Sequence, residues 1–170
     1  EGWQVVEEAG RGWRRVVASA QQLEIIEEDA ISRLLQSGST VIAVGGGGIP
    51  VVQNQSGELR ELSGIYAVID KDRASAILAR QLQVDLFLIS TGVPQVADHF
   101  NTPQQQNLAH VTPMQLREFM DEGHFAPGSM KPKVEAVLSY MEHGGKAALI
   151  TNPENIARAL NRETGTWVEV

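Results

Sequence analysis

The sequence predicts an α/β fold, with helices on both faces of a mostly parallel sheet. Two observations carry this. Short apolar, β-branched runs alternate with helical stretches of about 10–15 residues, the pattern of βαβ units. Three segments rich in glycine, lysine or threonine each follow such a run, and open parallel sheets bind ligands beyond the carboxyl ends of their strands. The chain of 170 residues is long enough for one ordinary domain with a real core, and it carries no internal repeat.

In order, Gly10 and Gly12 suggest a turn, with a strand over the residues that follow. Arg11, Arg14 and Arg15 could meet a phosphate, but pairing with Glu7, Glu8 or Glu24 accounts for them equally well, and spacing favours the pairing. Residues 25–37 read as an amphipathic helix on Ala30, Ile31, Leu34 and Leu35, with Gly38 at its C-terminal cap. Residues 40–44 read as a buried strand running into four glycines, Gly45, Gly46, Gly47 and Gly48. A polar stretch over 53–63, with Ser56-Gly57 as a turn, reads as a hairpin flap. Ala67-Val68-Ile69 is a short strand leading into Asp70-Lys71-Asp72 and a helix bearing Ala74, Ile77, Leu78 and Leu82. A strand over 86–89 ends at Ser90-Thr91-Gly92, and a polar loop spans 100–107. Thr112-Pro113 opens a helix with Leu116, Phe119 and Met120 on one face. A longer helix follows Gly128-Ser129-Met130, carrying Lys133, Val134, Val137, Leu138 and Met141. Residues 147–150 form a strand, Asn152-Pro153 caps a last helix, and residues 167–170 close the chain as a strand.

Composition excludes several classes. A net charge of −7 argues against a nucleic-acid partner, which needs a basic face. No apolar run approaches the roughly 20 residues that span a bilayer. Cysteine is absent, which removes disulfides and thiolate metal sites and fits a reducing, cytoplasmic location. His99, His110, His124 and His143 have no metal-ligand spacing and read as surface or loop histidines; no metal site of the protein's own is expected. The chain opens on Glu1-Gly2-Trp3 without an initiator Met and is read as part of a longer protein.

The chemistry points to phosphate. Glycine in place of alanine costs roughly 0.5–1 kcal/mol in regular structure, so four in succession need compensation. Bare N–H groups aimed at an anion supply it; a tight loop without a ligand is the alternative. Lysine is scarce, at Lys71, Lys131, Lys133 and Lys146. Lys71 and Lys133 both fall at predicted helix N-termini, where positive charge is unfavourable. An anion in front of each explains them. Asp70 is expected to hold the Lys71 ammonium, and Asp72 to cap the helix. The P-loop pattern GxxxxGK[ST] is absent, and no Ser-His-Asp set is evident.

The segments Gly10-Arg11-Gly12-Trp13-Arg14-Arg15-Val16-Val17, 45–52, Val68-Ile69-Asp70-Lys71-Asp72, Glu122-Gly123-His124-Phe125, Gly128-Ser129-Met130 with Pro132-Lys133, Gly144-Gly145-Lys146 and Gly165-Thr166 resemble carbamate kinase. They run in order along nearly the whole chain and fit the C-terminal half of that family. The likeness is greatest to carbamate-kinase-like proteins of bacterial nitrogen and purine catabolism. It implies a three-layer αβα sandwich of the amino acid kinase type, with residues 1–24 as the end of a protruding subdomain and its return strand, and 25–170 as the nucleotide-binding domain. It implies transfer between ATP and carbamate, giving ADP and carbamoyl phosphate and run physiologically toward ATP, with Mg²⁺ arriving on the nucleotide. Lys71 and Lys133 match lysines on the transferring phosphates, and Asp70 the aspartate that orders them. Gly45, Gly46, Gly47 and Gly48 match a loop near the phosphates, with Gly128, Ser129 and Met130 beside them. Thr91, Gly92 and 100–103 lie where base and ribose contacts are expected, although relatives often carry a larger or polar residue at the position of Gly92. The family's N-terminal glycine-rich motif and a further lysine are missing. The carbamate end therefore belongs to an absent N-terminal half, the piece alone is expected to be inactive, and a homodimer is expected at full length. Another acyl-phosphate-forming kinase, or a non-catalytic nucleotide-sensing module, are the alternative functions.

Overall fold

Three two-stranded hairpins and one four-stranded sheet hold the strands of the chain, which a computed structural model describes over residues 3–8, 12–56 and 59–170. Val5–Glu8 (β1) pairs antiparallel with Gly12–Arg15 (β2); of the two glycines on which a turn was expected, Gly12 begins β2 and Gly10 lies outside the described residues. Glu28–Gln36 is helix α1. It stops where Gly38 takes φ +84°, with Gly38 N–H on the Leu35 carbonyl and Ser39 N–H on that of Leu34, a left-handed C-terminal cap. Val51–Ser56 (β3) and Leu59–Gly64 (β4) form the predicted flap; Gly57, expected in a turn, lies outside the described residues.

Lys71–Gln81 is α2 and Phe87–Ser90 is β5. The stretch expected as a loop holds a second hairpin strand, since Val96–Asp98 (β6) pairs antiparallel with Gln106–Leu108 (β7). His110–Val111 is β8. Pro113–Asp121 is α3, opened by a reciprocal cap in which Thr112 Oγ1 accepts the Gln115 N–H and Gln115 Oε1 accepts the Thr112 N–H. Met130–Glu142 is α4, Ala147–Thr151 is β9, Ile156–Leu160 is α5 after a single 3₁₀ turn, and Thr166–Glu169 is β10.

The sheet order is β5-β9-β10-β8, with β5·β9 and β10·β8 parallel and β9·β10 antiparallel. It is thus mostly parallel, as expected. Alternation along a strand sends successive side chains to opposite faces. Ala148, Ile150 and Val168 meet Ala76 and Ala79 of α2, Leu116 of α3 and Val134, Val137 and Leu138 of α4 in the main core. Leu149 and Trp167 point the other way, against Ala159 of α5. Helices therefore cover both faces. Thr166 Oγ1 donates to the Leu108 carbonyl at 2.5 Å and accepts the Val96 N–H at 2.8 Å, fastening the β6–β7 hairpin to β10. Among the described residues no helix is long and apolar enough to cross a membrane.

Two expected strands are absent. Residues 40–44 and 67–69 are irregular, with Ile42 101% and Val68 44% exposed. Their sequences are suited to strands, but a strand needs a neighbour's backbone to bond. Among the described residues nothing pairs with 40–44, and Val68 has only its N–H on the Ala18 carbonyl at 2.8 Å.

Candidate functional site

The N-termini of α2 and α4 lie side by side, and one carboxylate joins them. Asp72 Oδ2 accepts from Lys71 Nζ at 3.1 Å and from Lys133 Nζ at 3.3 Å. Lys133 also donates to the Ser129 carbonyl at 3.3 Å. The Asp72 and Lys133 side chains are only 11% and 15% exposed, whereas Lys71 is 61% exposed. Farther along, Arg73 of α2 reaches Glu135 of α4 at 3.3 Å, and the Tyr140 hydroxyl of α4 donates to the Val84 carbonyl beyond α2 at 2.7 Å. The two helices therefore run in the same direction, so their positive dipole ends coincide at the lysines. Two ammonium groups share one carboxylate, beside helix N–H groups that have no intrahelical partner. This is a setting for an anion.

The carboxylate between the lysines is that of Asp72, not Asp70. Asp70 caps α2, its Oδ1 accepting the Arg73 N–H at 2.9 Å. The two aspartates have exchanged the roles expected of them. Spacing held the signal: Asp72, Ala76 and Ala79 recur at helical intervals, and all three are buried.

The glycine turn abuts the start of α2. Gly48 N–H bonds the Gly45 carbonyl at 3.2 Å, and a Cβ on Gly48 would stand 3.2 Å from Ile69 Cγ1, one residue before Asp70. Gly45 has φ +110°, and Val44 before it has φ +52°, an outlier for a β-branched residue. Gly46 and Gly47 are exposed, have no left-handed φ, and a Cβ on either would meet nothing within 4 Å. The fold itself thus does not require glycine at these two positions.

The remaining expected residues have different surroundings. Gly128, at φ +76°, and Ser129 lead into α4. Met130 packs against the main core. Thr91 follows β5 and donates its N–H to the Thr151 carbonyl at 2.8 Å, and Gly92 is exposed beside it. Parallel pairing of β5 with β9 puts their carboxyl ends at one rim, but no hydrogen bond joins Thr91 or Gly92 to the lysine cluster among the described residues. Among those residues, no three His, Asp or Glu side chains gather as a ligand set for a metal.

The model of the amino acid kinase family matches residues 4–152. A carbamate kinase-like protein, YahI, of Escherichia coli (strain K12) is 49% identical over 98% of this chain and 52% of its own length. A carbamate kinase of Thermoplasma volcanium is 47% identical over 98% of this chain and 53% of its own. Among solved structures, carbamate kinase from Giardia lamblia bound to AMP-PNP superposes with a TM-score of 0.85 at 37% identity, over 99% of this chain and 52% of that one. The chain spans about half the length of the curated relatives it matches.

Proposed function

The chain belongs to the amino acid kinase family, and from that premise we propose that it is the nucleotide-binding, C-terminal part of a carbamate-kinase-like phosphotransferase. The observation that carries this reading is the pair of ammonium groups on Asp72. An ammonium has three donors. Lys71 spends one on Asp72; Lys133 spends one on Asp72 and one on Ser129. The unspent donors are available to phosphate oxygens. Phosphoryl transfer asks a protein chiefly for position and for positive charge around the moving oxygens, and both lysines are held before a ligand arrives. The open glycine turn lets backbone N–H groups approach the same phosphates.

ATP and ADP are the nucleotides of this reading, with carbamate or carbamoyl phosphate held by an N-terminal half. Mg²⁺ would be carried on the nucleotide's own oxygens, as it commonly is where few carboxylates converge; there it would neutralise phosphate charge. Asp72 keeps the two ammonium groups from separating, and in this reading Lys71, the more exposed, follows the transferring group. The nucleotide-bound Giardia relative supports the assignment.

The test is turnover of the full-length protein. Lys71→Ala and Lys133→Ala should each lower it by at least about 10²-fold, the effect of removing one donor to developing charge. Near-normal turnover in both variants would overturn the proposal. A screen of carboxylate acceptors with the same protein distinguishes carbamate from another acyl-phosphate chemistry, and nucleotide binding without any transfer would mark a sensing module.

A further inference from the structure

The hairpin loop over 99–105 is anchored to the rest of the chain in an unusual way. Its own bonds are local: Asn101 N–H to Gln105 Oε1 at 2.9 Å, Thr102 N–H and Oγ1 to the His99 carbonyl, and Gln106 N–H to Asp98 Oδ1 at 2.9 Å. Among the described residues one hydrogen bond ties residues 99–105 to anything outside the hairpin. It runs from the His99 backbone N–H to His124 Nδ1, at 3.2 Å. His99 and Asn101 hold φ of +42° and +61°, backbone conformations that need support from their surroundings.

That bond fixes the chemistry of His124. A backbone N–H can only donate, so Nδ1 must be the acceptor and the ring proton must sit on Nε2, where it donates to Glu122 Oε2 at 3.0 Å. The ring is held edge-on to His99, with centroids 4.2 Å apart, and to Phe119 of α3 at 5.6 Å. Its side chain is 11% exposed. The charged and titratable groups around it are Glu122 at the end of α3, His99 itself and, behind His99, Asp98 of β6, whose Oδ1 lies 3.7 Å from His99 Nδ1. Among the described residues no other titratable group is bonded to the ring. Adding a proton at Nδ1 sets two N–H groups against each other and removes the loop's anchor.

We propose that His124 is a positioning residue for the 99–105 loop, holding it only while Nδ1 is unprotonated, so that nucleotide affinity falls as the pH drops. The link to nucleotide rests on the function proposed above and on the family resemblance, which puts residues 100–103 of this loop where base and ribose contacts are expected. The anchor itself does not rest on it. Glutamine at position 124 can accept through Oε1 and donate through Nε2 without titrating, so His124→Gln separates the anchor from its switch.

The experiment compares wild type with His124→Gln by calorimetric titration with Mg-ADP at about pH 8 and about pH 5.5, and follows the backbone amide signals of 99–105 by NMR across the same range. Measured against the variant, wild-type affinity should fall about fivefold on acidification, the effect of one hydrogen bond. The wild-type loop signals should shift together with the His124 ring, beyond the shift that His99, present in both proteins, gives the variant. Equal acid losses in the two proteins, or loop signals that move alike in both, would overturn the inference. If neither protein binds Mg-ADP at either pH, the nucleotide reading fails, and the loop signals alone still decide the role of His124.

Discussion

Asp70 and Asp72 are the same residue type two positions apart, and the backbone gives them opposite duties. Asp70 precedes the helix with extended ψ and takes an N–H of the first turn; Asp72 is inside the helix and turns toward α4. Their variants should separate cleanly. Asp70→Ala should cost about 0.5–2 kcal/mol of stability, as for other lost caps, and leave the turnover of the folded full-length protein largely intact. Asp72→Asn should lower turnover at least about tenfold, because ammonium groups displaced by even an ångström lose their alignment. Kinetics beside denaturant unfolding check both, and the reverse assignment of losses would restore Asp70 to the role that the sequence suggested. The lysines were legible because a cation at a helix N-terminus needs a reason. Which aspartate served them was not, since it depends on which side of α2 faces α4.

At the scale of elements, glycine marks where neighbours press. A Cβ on Gly145, between α4 and β9, would lie 2.4 Å from Tyr140 Cε1. That ring is 1% exposed and bonded to Val84 through its hydroxyl, so it has little freedom to yield. Gly145→Ala should therefore destabilise by about 1–3 kcal/mol, whereas Gly46→Ala should leave thermal unfolding unchanged; equal Tm values for both variants would contradict this packing. Beyond α5, Arg162 stacks over Trp167 at 4.3 Å and bonds Glu169 of β10. The Arg162 bond holds the Glu169 carboxyl below its ordinary range. A depressed carboxyl stabilises the fold above its unfolded value, and that contribution disappears as pH falls through the folded value. Acidification below about pH 4.3 should thus lower the Tm of wild type more than that of Glu169→Gln, and parallel acid profiles would refute the assignment.

Element by element, the sequence was most informative where the partner lies in the described chain. The strand over 147–150, the capped helix from Thr112 and the long helix that carries Lys133 stand as their periodicity predicts, because each has a core face to bury. The runs at 40–44 and 67–69 are apolar in the same manner, yet remain irregular. Hydrophobic pattern states that a segment needs a neighbour without saying which one. The β6–β7 hairpin was missed for the opposite reason. Its second strand, Gln106–Leu108, is polar and largely exposed, and is held by pairing and by the Thr166 hydroxyl more than by burial.

For the molecule as a whole, a chain of net charge −7 attracts phosphate only if it gathers positive charge locally. The joined N-termini of α2 and α4, with two ammonium groups on one carboxylate, are such a place. Calorimetric titration of this chain with Mg-ADP, beside its Lys71→Ala/Lys133→Ala variant with folding checked by circular dichroism, tests that claim most directly. We expect saturable binding by wild type at one site and an affinity at least about tenfold lower in the variant, from the loss of charged hydrogen bonds. Superimposable isotherms would contradict it.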